Sequence, residues 1–186
     1  MGDFWVFGYG SLMWNPGFPY LGHRQATMHG VHRALCVRSF VHRGTEAEPG
    51  LVLGLDRGGS CHGIAFQVDG RHREQVIGYL RERELVTRVY VETWRGARLE
   101  DGQRIEALAY LVDRNHAQYA GKLPPAEIAP IVRRGTGKSG RNSDYVVNTL
   151  AHLRQIGIHD PHLEAVSAQL EDLLLADRAL SLSRSA

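Results

Sequence analysis

Runs of hydrophobic residues, strict alternation and helical spacing follow one another along this 186-residue chain, and each change of period marks an element. Phe4-Trp5-Val6-Phe7 opens as a short strand, rich in the aromatic and β-branched residues that suit a pleated, half-buried surface. It breaks at Gly8 and Gly10, where the lack of a Cβ lets the backbone turn sharply or approach a ligand. Pro16, Gly17 and Pro19 mark Asn15 to Tyr20 as loop. Strands are predicted at Val31 to Phe40, Gly50 to Leu55 and Cys61 to Val68, then a helix from about Arg71 to Leu85, then strands near Thr87 to Trp94 and Ile105 to Val112. Pro124-Pro125 suits the first turn of a helix running to about Arg133.

A glycine-rich loop from Gly135 to Gly140 then leads into a helix from Ser143 to about Gln155, capped by Asn142 or Ser143, with Val146, Val147, Leu150 and Leu153 as its apolar stripe. Asp160 and Pro161 read as cap and first residue of the last helix, with Leu163, Val166, Leu170, Leu173 and Leu174 inward. Strands lead and helices follow, which predicts an α+β fold. No repeat, low-complexity segment or linker interrupts the chain, so residues 1–186 are expected to form a single domain.

Composition narrows the function classes. Hydrophobic residues make up 43% and charged residues 23%, the balance of an ordinary globular protein. The 22 Lys and Arg are scattered among 20 acids for a net charge of +2, and no basic block is interleaved with aromatics, so neither nucleic acid nor an anionic membrane is an expected partner. Cys36 and Cys61 lack C-x-x-C spacing and fit a reducing compartment. The N-terminal residues carry no basic-then-apolar leader pattern, Val6 stands where a myristoylation motif wants Ser or Thr, and no apolar run approaches spanning length. A cytoplasmic protein is the expectation; oligomeric state is not legible.

Several motifs invite chemistry that their context denies. Gly8 and Gly10 begin G-x-G-x-x-G, but Met13 occupies the third glycine position. Gly135 to Gly140 matches the same pattern, yet it follows a predicted helix rather than a strand, and Val132 replaces the first P-loop glycine. The loop is instead expected to close over one side of a pocket. Among ten histidines, His29 and His32 are predicted to point to opposite faces of one strand, and His159 and His162 lack a third ligand, so no metal is expected. Ser11 lacks the G-x-S-x-G elbow of a nucleophile.

One carboxylate lies on an unexpected face. In the helix from Arg71 to Leu85, Ile77, Leu80 and Glu84 share a stripe with Val76 beside it, whereas Glu82 falls on the far side among polar residues. Buried there, Glu84 would have a raised pKa useful for proton transfer. Set at the rim, it would pair with Arg83, Arg88 or another cation. Spacing alone leaves both readings open. The turn from Gly8 to Ser11 likewise reads either as a plain tight turn or as a row of backbone N–H groups able to cradle an anion.

Val6-Phe7-Gly8-Tyr9-Gly10-Ser11-Leu12 with Trp14 and Pro16 resembles the opening of the ChaC family, the glutathione-specific γ-glutamylcyclotransferases. The resemblance continues in order through His42-Arg43-Gly44, Pro49-Gly50, Gly63-Ile64-Ala65-Phe66, Tyr79 to Glu84, Ala109-Tyr110, Tyr119-Ala120-Gly121 and Ser139 to Tyr145, spanning most of the chain. It implies a γ-glutamylcyclotransferase-like fold, a small mixed β-barrel flanked by helices. It implies Glu84 of the Arg83-Glu84 pair as catalytic acid/base, and Val6, Phe7, Gly8, Tyr9, Gly10 and Ser11 as the substrate-binding segment. It places Arg43 and Tyr119 near the pocket as supporting residues. The implied substrate is glutathione, with no cofactor. Cyclotransferase action on other γ-glutamyl amines or dipeptides, or a catalytically silent ligand-binding role, are the alternatives. One departure from some family members is the link Leu85 to Tyr90, where Arg88 replaces a shorter glycine-containing connection.

Overall fold

The computed structural model describes residues 2–184, with side chains through residue 180. Its strands are β1 (Phe4–Gly8), β2 (Gly22–Ser39), β3 (Gly50–Val68), β4 (Tyr90–Leu99) and β5 (Arg104–Val112), and they close into a barrel in the order β1-β3-β2-β4-β5. β1 runs antiparallel to β3, pairing Val6 with Phe66 and Phe7 with Ala65, and parallel to β5, pairing Val6 with Leu108. β4 and β5 form a hairpin from Tyr90↔Val112 to Arg98↔Arg104. The helices are α1 (Arg73–Glu84), α2 (Pro125–Arg134), α3 (Asn142–Gln155) and α4 (Pro161–Arg184). The expected mixed α+β barrel is what forms. Among the described residues, no helix is long and apolar enough to cross a membrane.

The chain resolves into two compact units, residues 1–33 with 54–119 and residues 34–53 with 120–186. The first holds β1, most of β2 and β3, α1, β4 and β5. Its buried core includes Val6, Phe7, Met28, Val31, Leu55, Phe66 and Leu108, with Val76 and Leu80 buried on α1. The second holds α2, α3 and α4 and a two-strand ribbon, β6 (Thr136–Gly137) with β7 (Gly140–Arg141). Its helices bury Ile128 and Val132, Val146 and Leu150, and Leu163, Val166 and Leu170.

The long strands depart from the expected pattern for identifiable reasons. β2 begins at Gly22, nine residues ahead of the predicted start at Val31, because its first half is polar and reads as loop. Ala26 and Met28 face inward, then Val31, Arg33 and Leu35 do, so the alternation changes phase at Gly30, whose φ is +78°. This is the signature of a β-bulge, which only a glycine accommodates cheaply. The bulge corrects the histidine geometry. His29 and His32 both lie outside the barrel core, where His29 Nδ1 pairs with Ser60 Oγ at 2.9 Å and His32 Nδ1 with the Gly58 carbonyl at 2.9 Å. The same cross-strand contacts carry β3 unbroken through Arg57 to Ser60, where polar residues and glycines predicted a break.

In the second unit the predicted glycine loop is the β6–β7 ribbon. On α3, Val147 is 49% exposed and Thr149 is buried in its place, because residues 146, 149, 150 and 153 form the tighter helical stripe. Neither Asn142 nor Ser143 caps α3; Arg141 holds that position without a side-chain bond. Asn142 is instead buried, its Oδ1 accepting from the Leu51 amide at 2.6 Å and its Nδ2 donating to the Leu51 carbonyl at 2.8 Å. The predicted cap of α4 is present, with the Leu163 amide donating to Asp160 Oδ1 at 3.0 Å.

Asn142→Ala strips both partners from a buried backbone unit, at about 3 kcal/mol. A fall of several degrees in the thermal unfolding midpoint, with secondary structure retained by circular dichroism below it, is the expected result.

Candidate active site

β1 ends in the turn that the sequence singled out. Val6 and Phe7 are wholly buried, so any ligand contact they make is through backbone. Gly8 still pairs with Ile64 of β3. Gly63 makes this junction possible, since a Cβ there would lie 2.3 Å from the Gly8 carbonyl oxygen and 2.7 Å from the Phe7 ring. After Gly8 the chain enters a single 3-10 turn, Ser11–Met13, closed by the Met13 amide donating to the Gly10 carbonyl at 2.9 Å. The first amides of such a turn have no acceptor within it.

Arg83, on the last turn of α1, ties this turn to the helix. Its Nη2 donates to Ser11 Oγ at 2.9 Å, and its Nη1 donates to the Asn15 carbonyl at 2.8 Å and the Tyr79 hydroxyl at 3.0 Å. Its Nε lies 3.3 Å from Glu84 Oε1. The same guanidinium therefore reaches both Ser11 and Glu84, two of the predicted site residues, through Nη2 and Nε.

The Glu84 side chain is only 18% exposed. Burial raises its pKa above the ordinary glutamate value, and the nearby Arg83 charge offsets that only in part. Both sequence readings of Glu84 are thus present together, a desolvated carboxylate and an ion pair, and desolvation dominates. Glu82 points to solvent. Glu92 on β4 is the opposite case. Arg81 Nη2 and Nε reach it at 2.7 and 2.9 Å and the Tyr110 hydroxyl donates to it at 3.0 Å, which holds its pKa below the ordinary value. Tyr110 itself is driven well above the usual phenol range, by burial first and then by the Glu92 and Glu84 charges, so its proton stays in place.

The other predicted residues have structural partners. Tyr119 donates its hydroxyl to Asp56 Oδ2 at 2.9 Å. Asp56 is 1% exposed and also takes Arg114 Nε at 2.7 Å; burial raises its pKa most, but its hydrogen bonds from Arg114, Tyr119 and the Arg57 amide together bring it below the ordinary value. Arg43 belongs to the second unit, where its Nη1 donates to the Ser139 carbonyl at 2.5 Å and its guanidinium lies 5.3 Å from the centre of the Tyr145 ring. It anchors the β6–β7 ribbon. Arg88 is exposed at φ +58°, a backbone region where glycine is unstrained and other residues are disfavoured. Among the described residues, no group of three metal-ligating side chains comes together. A cavity of about 450 Å³ opens in the first unit beside Phe4, Arg73 and Trp94, at the far end of β1 from Gly8.

Residues missed by the sequence reading include Tyr79, Glu92, Asp56 and above all Arg33. Arg33 had a visible signal, because it occupies an inward position between Val31 and Leu35 in an alternating strand.

The barrel is that of the γ-glutamylcyclotransferase fold: a crystal structure of a γ-glutamylcyclotransferase specific to glutathione from yeast superposes with a TM-score of 0.81 over 92% of this chain and 97% of that one, at 21% identity. Residues 4–173 match the family model of ChaC-like proteins, and the chain belongs to that family. It is 34% identical to the glutathione-specific γ-glutamylcyclotransferase of Escherichia coli strain K12, over 93% of this chain and 75% of that protein. It is 33% identical to glutathione-specific γ-glutamylcyclotransferase 1 of Homo sapiens, over 87% and 76%. With γ-glutamylcyclotransferase 2-3 of Arabidopsis thaliana it shares 27% over 98% and 96%.

The raised Glu84 pKa has a signed consequence for stability. Unfolded, the group ionises near the ordinary glutamate value of 4.5; folded, it ionises higher, so its ionisation costs stability as pH rises through the folded value. Glu84→Gln should therefore unfold at a higher temperature than wild type at pH 7, and the gap should close as the pH falls to about 4.

Proposed function

We propose that this protein is a glutathione-specific γ-glutamylcyclotransferase that converts glutathione to 5-oxoproline and cysteinylglycine. The observation that carries the reading is the desolvated Glu84 carboxylate, joined through Arg83 to Ser11 of the glycine turn. Membership of the ChaC-like family supports the substrate, as do the activities for which the bacterial and human relatives are named.

The nucleophile is part of the substrate. The glutamyl α-amino nitrogen attacks its own γ-carbonyl carbon, a C–N bond closes the five-membered lactam, and the bond to the cysteinyl nitrogen breaks. Overall the glutamyl nitrogen sheds two protons from its ammonium form. The departing amine takes up one as the bond breaks and another as it becomes an ammonium. No oxidant, water or covalent enzyme intermediate enters this balance. Glu84 accepts the first proton and returns it to the leaving nitrogen, a role that a carboxyl group with a raised pKa performs in both directions near neutral pH. The backbone amides of the Gly8–Ser11 turn receive the γ-glutamyl group and the oxyanion that develops on its carbonyl. Holding the amine against the carbonyl contributes several kcal/mol of the rate enhancement, on the order of what well-oriented intramolecular reactions gain. We place Arg43 and Tyr119 outside the chemical step, as supports of the surrounding structure. The buried Cys36 and Cys61 thiols, neither in a disulfide, fit a cytoplasmic setting with abundant thiol substrate.

Purified protein incubated with glutathione should release cysteinylglycine and 5-oxoproline in equal amounts. Glu84→Gln should lower turnover by about two to four powers of ten, while Glu82→Gln should leave it nearly unchanged. Near-normal turnover in Glu84→Gln would remove the carboxylate from the mechanism. Comparable rates on γ-glutamyl-alanine and glutathione would move the assignment to a broader cyclotransferase.

A further inference from the structure

Arg33 is a charged residue placed inside the barrel wall, 6% exposed. Its guanidinium lies behind the turn that follows β1. Nε donates to the Tyr9 carbonyl at 2.5 Å, and Nη2 donates to the His62 carbonyl on β3 at 2.7 Å, with Met13 Sδ at 3.9 Å. Among the described residues the chain contains no cis peptide, so in each peptide plane the N–H points opposite to the C=O. The Tyr9–Gly10 plane has its carbonyl drawn onto Arg33, which turns the Gly10 N–H away from Arg33, to the other side of the turn. The next plane is fixed in the same way, because the Gly10 carbonyl accepts from the Met13 amide at 2.9 Å and so sets the direction of the Ser11 N–H. Of these two consecutive planes, the second is held by the 3-10 turn itself. The first is held by a side chain.

We propose that Arg33 is a positioning residue for the cyclotransferase reaction, which clamps the Tyr9 carbonyl so that the Gly10 N–H is presented to the negative oxygen of the γ-glutamyl group. The inference rests on the reading of the Gly8–Ser11 turn as the substrate cradle. Two physical effects act in the same direction. The bidentate grip on Tyr9 and His62 fixes the plane before substrate arrives, so no reorganisation accompanies the chemical step. A guanidinium hydrogen-bonded to a carbonyl also polarises that peptide, which strengthens its N–H as a donor on the opposite edge. A lysine cannot reproduce the fork, since its single ammonium does not span two divergent carbonyls as a planar guanidinium does.

The test combines kinetics and amide NMR on wild type, Arg33→Lys and Arg33→Met. In wild type, titration with 5-oxoproline should shift the Gly10 and Ser11 amide resonances more than those of the β4–β5 hairpin. Arg33→Met should lower kcat by about a hundredfold with KM changed less than threefold, the pattern of a donor lost from the transition state. Arg33→Lys, which keeps the buried charge, should fold and lose about tenfold in kcat, with the Gly10 shift on titration diminished and the Ser11 shift kept. If Arg33→Met does not fold, Arg33→Lys decides by the same two readouts. A kcat within threefold of wild type in folded Arg33→Lys, or an unaltered Gly10 response, would overturn the positioning role while leaving the cradle intact. If 5-oxoproline shifts no amide of the turn in wild type, the cradle reading has failed and the Arg33 role fails with it.

Discussion

The side chain of Arg83 reaches from the end of α1 to the loop after β1, donating to Ser11, Asn15 and Tyr79 while its Nε faces Glu84. A guanidinium has five donors in one rigid plane, and here they are shared among groups from two stretches of chain, the loop after β1 and α1 itself. The arrangement fixes the distance between the glycine turn and the carboxylate without covering either one. Val76 and Leu80 hold the helix against the core one and two turns earlier, so the burial of an apolar stripe delivers a polar pair to the surface of the barrel.

Two glutamates of the same unit show how environment divides their roles. Glu92 receives three charge-assisted or hydroxyl hydrogen bonds and remains an anion, a brace between α1 and β4. Glu84 has lost most of its water and faces a single cation at 3.3 Å, so its proton is held more tightly than in solution. The first is suited to structure, the second to moving a proton. Burial accounts for the difference, because both residues sit beside an arginine.

Much of this was legible in the sequence. The aromatic strand ending in Gly8 and Gly10, the placement of Glu84 on the helical stripe with Leu80, and the exposure of Glu82 all follow from period and chemistry alone. What was not legible depended on pairing across strands. The phase change at Gly30 hid the outward direction of both His29 and His32, and Arg57 to Ser60 read as a break because the β2 contacts that carry them are distant in sequence. Asn142 looked like a helix cap, the commonest use of that residue at that position, but was claimed by the Leu51 backbone from 91 residues away. The closure of the barrel, joining β1 to β5 in parallel, follows from no local pattern.

In the proposed mechanism Glu84 must be ionised to begin the reaction, and burial sets where this happens. The direct measurement is the pH dependence of kcat/KM for cysteinylglycine release from glutathione, which reports groups of the free enzyme and free substrate. A single acid limb is expected, with its midpoint above 4.5, the unperturbed value for glutamate, in the direction that burial moves this group. A limb at or below that value, or a profile flat through the weakly acidic range, would contradict it.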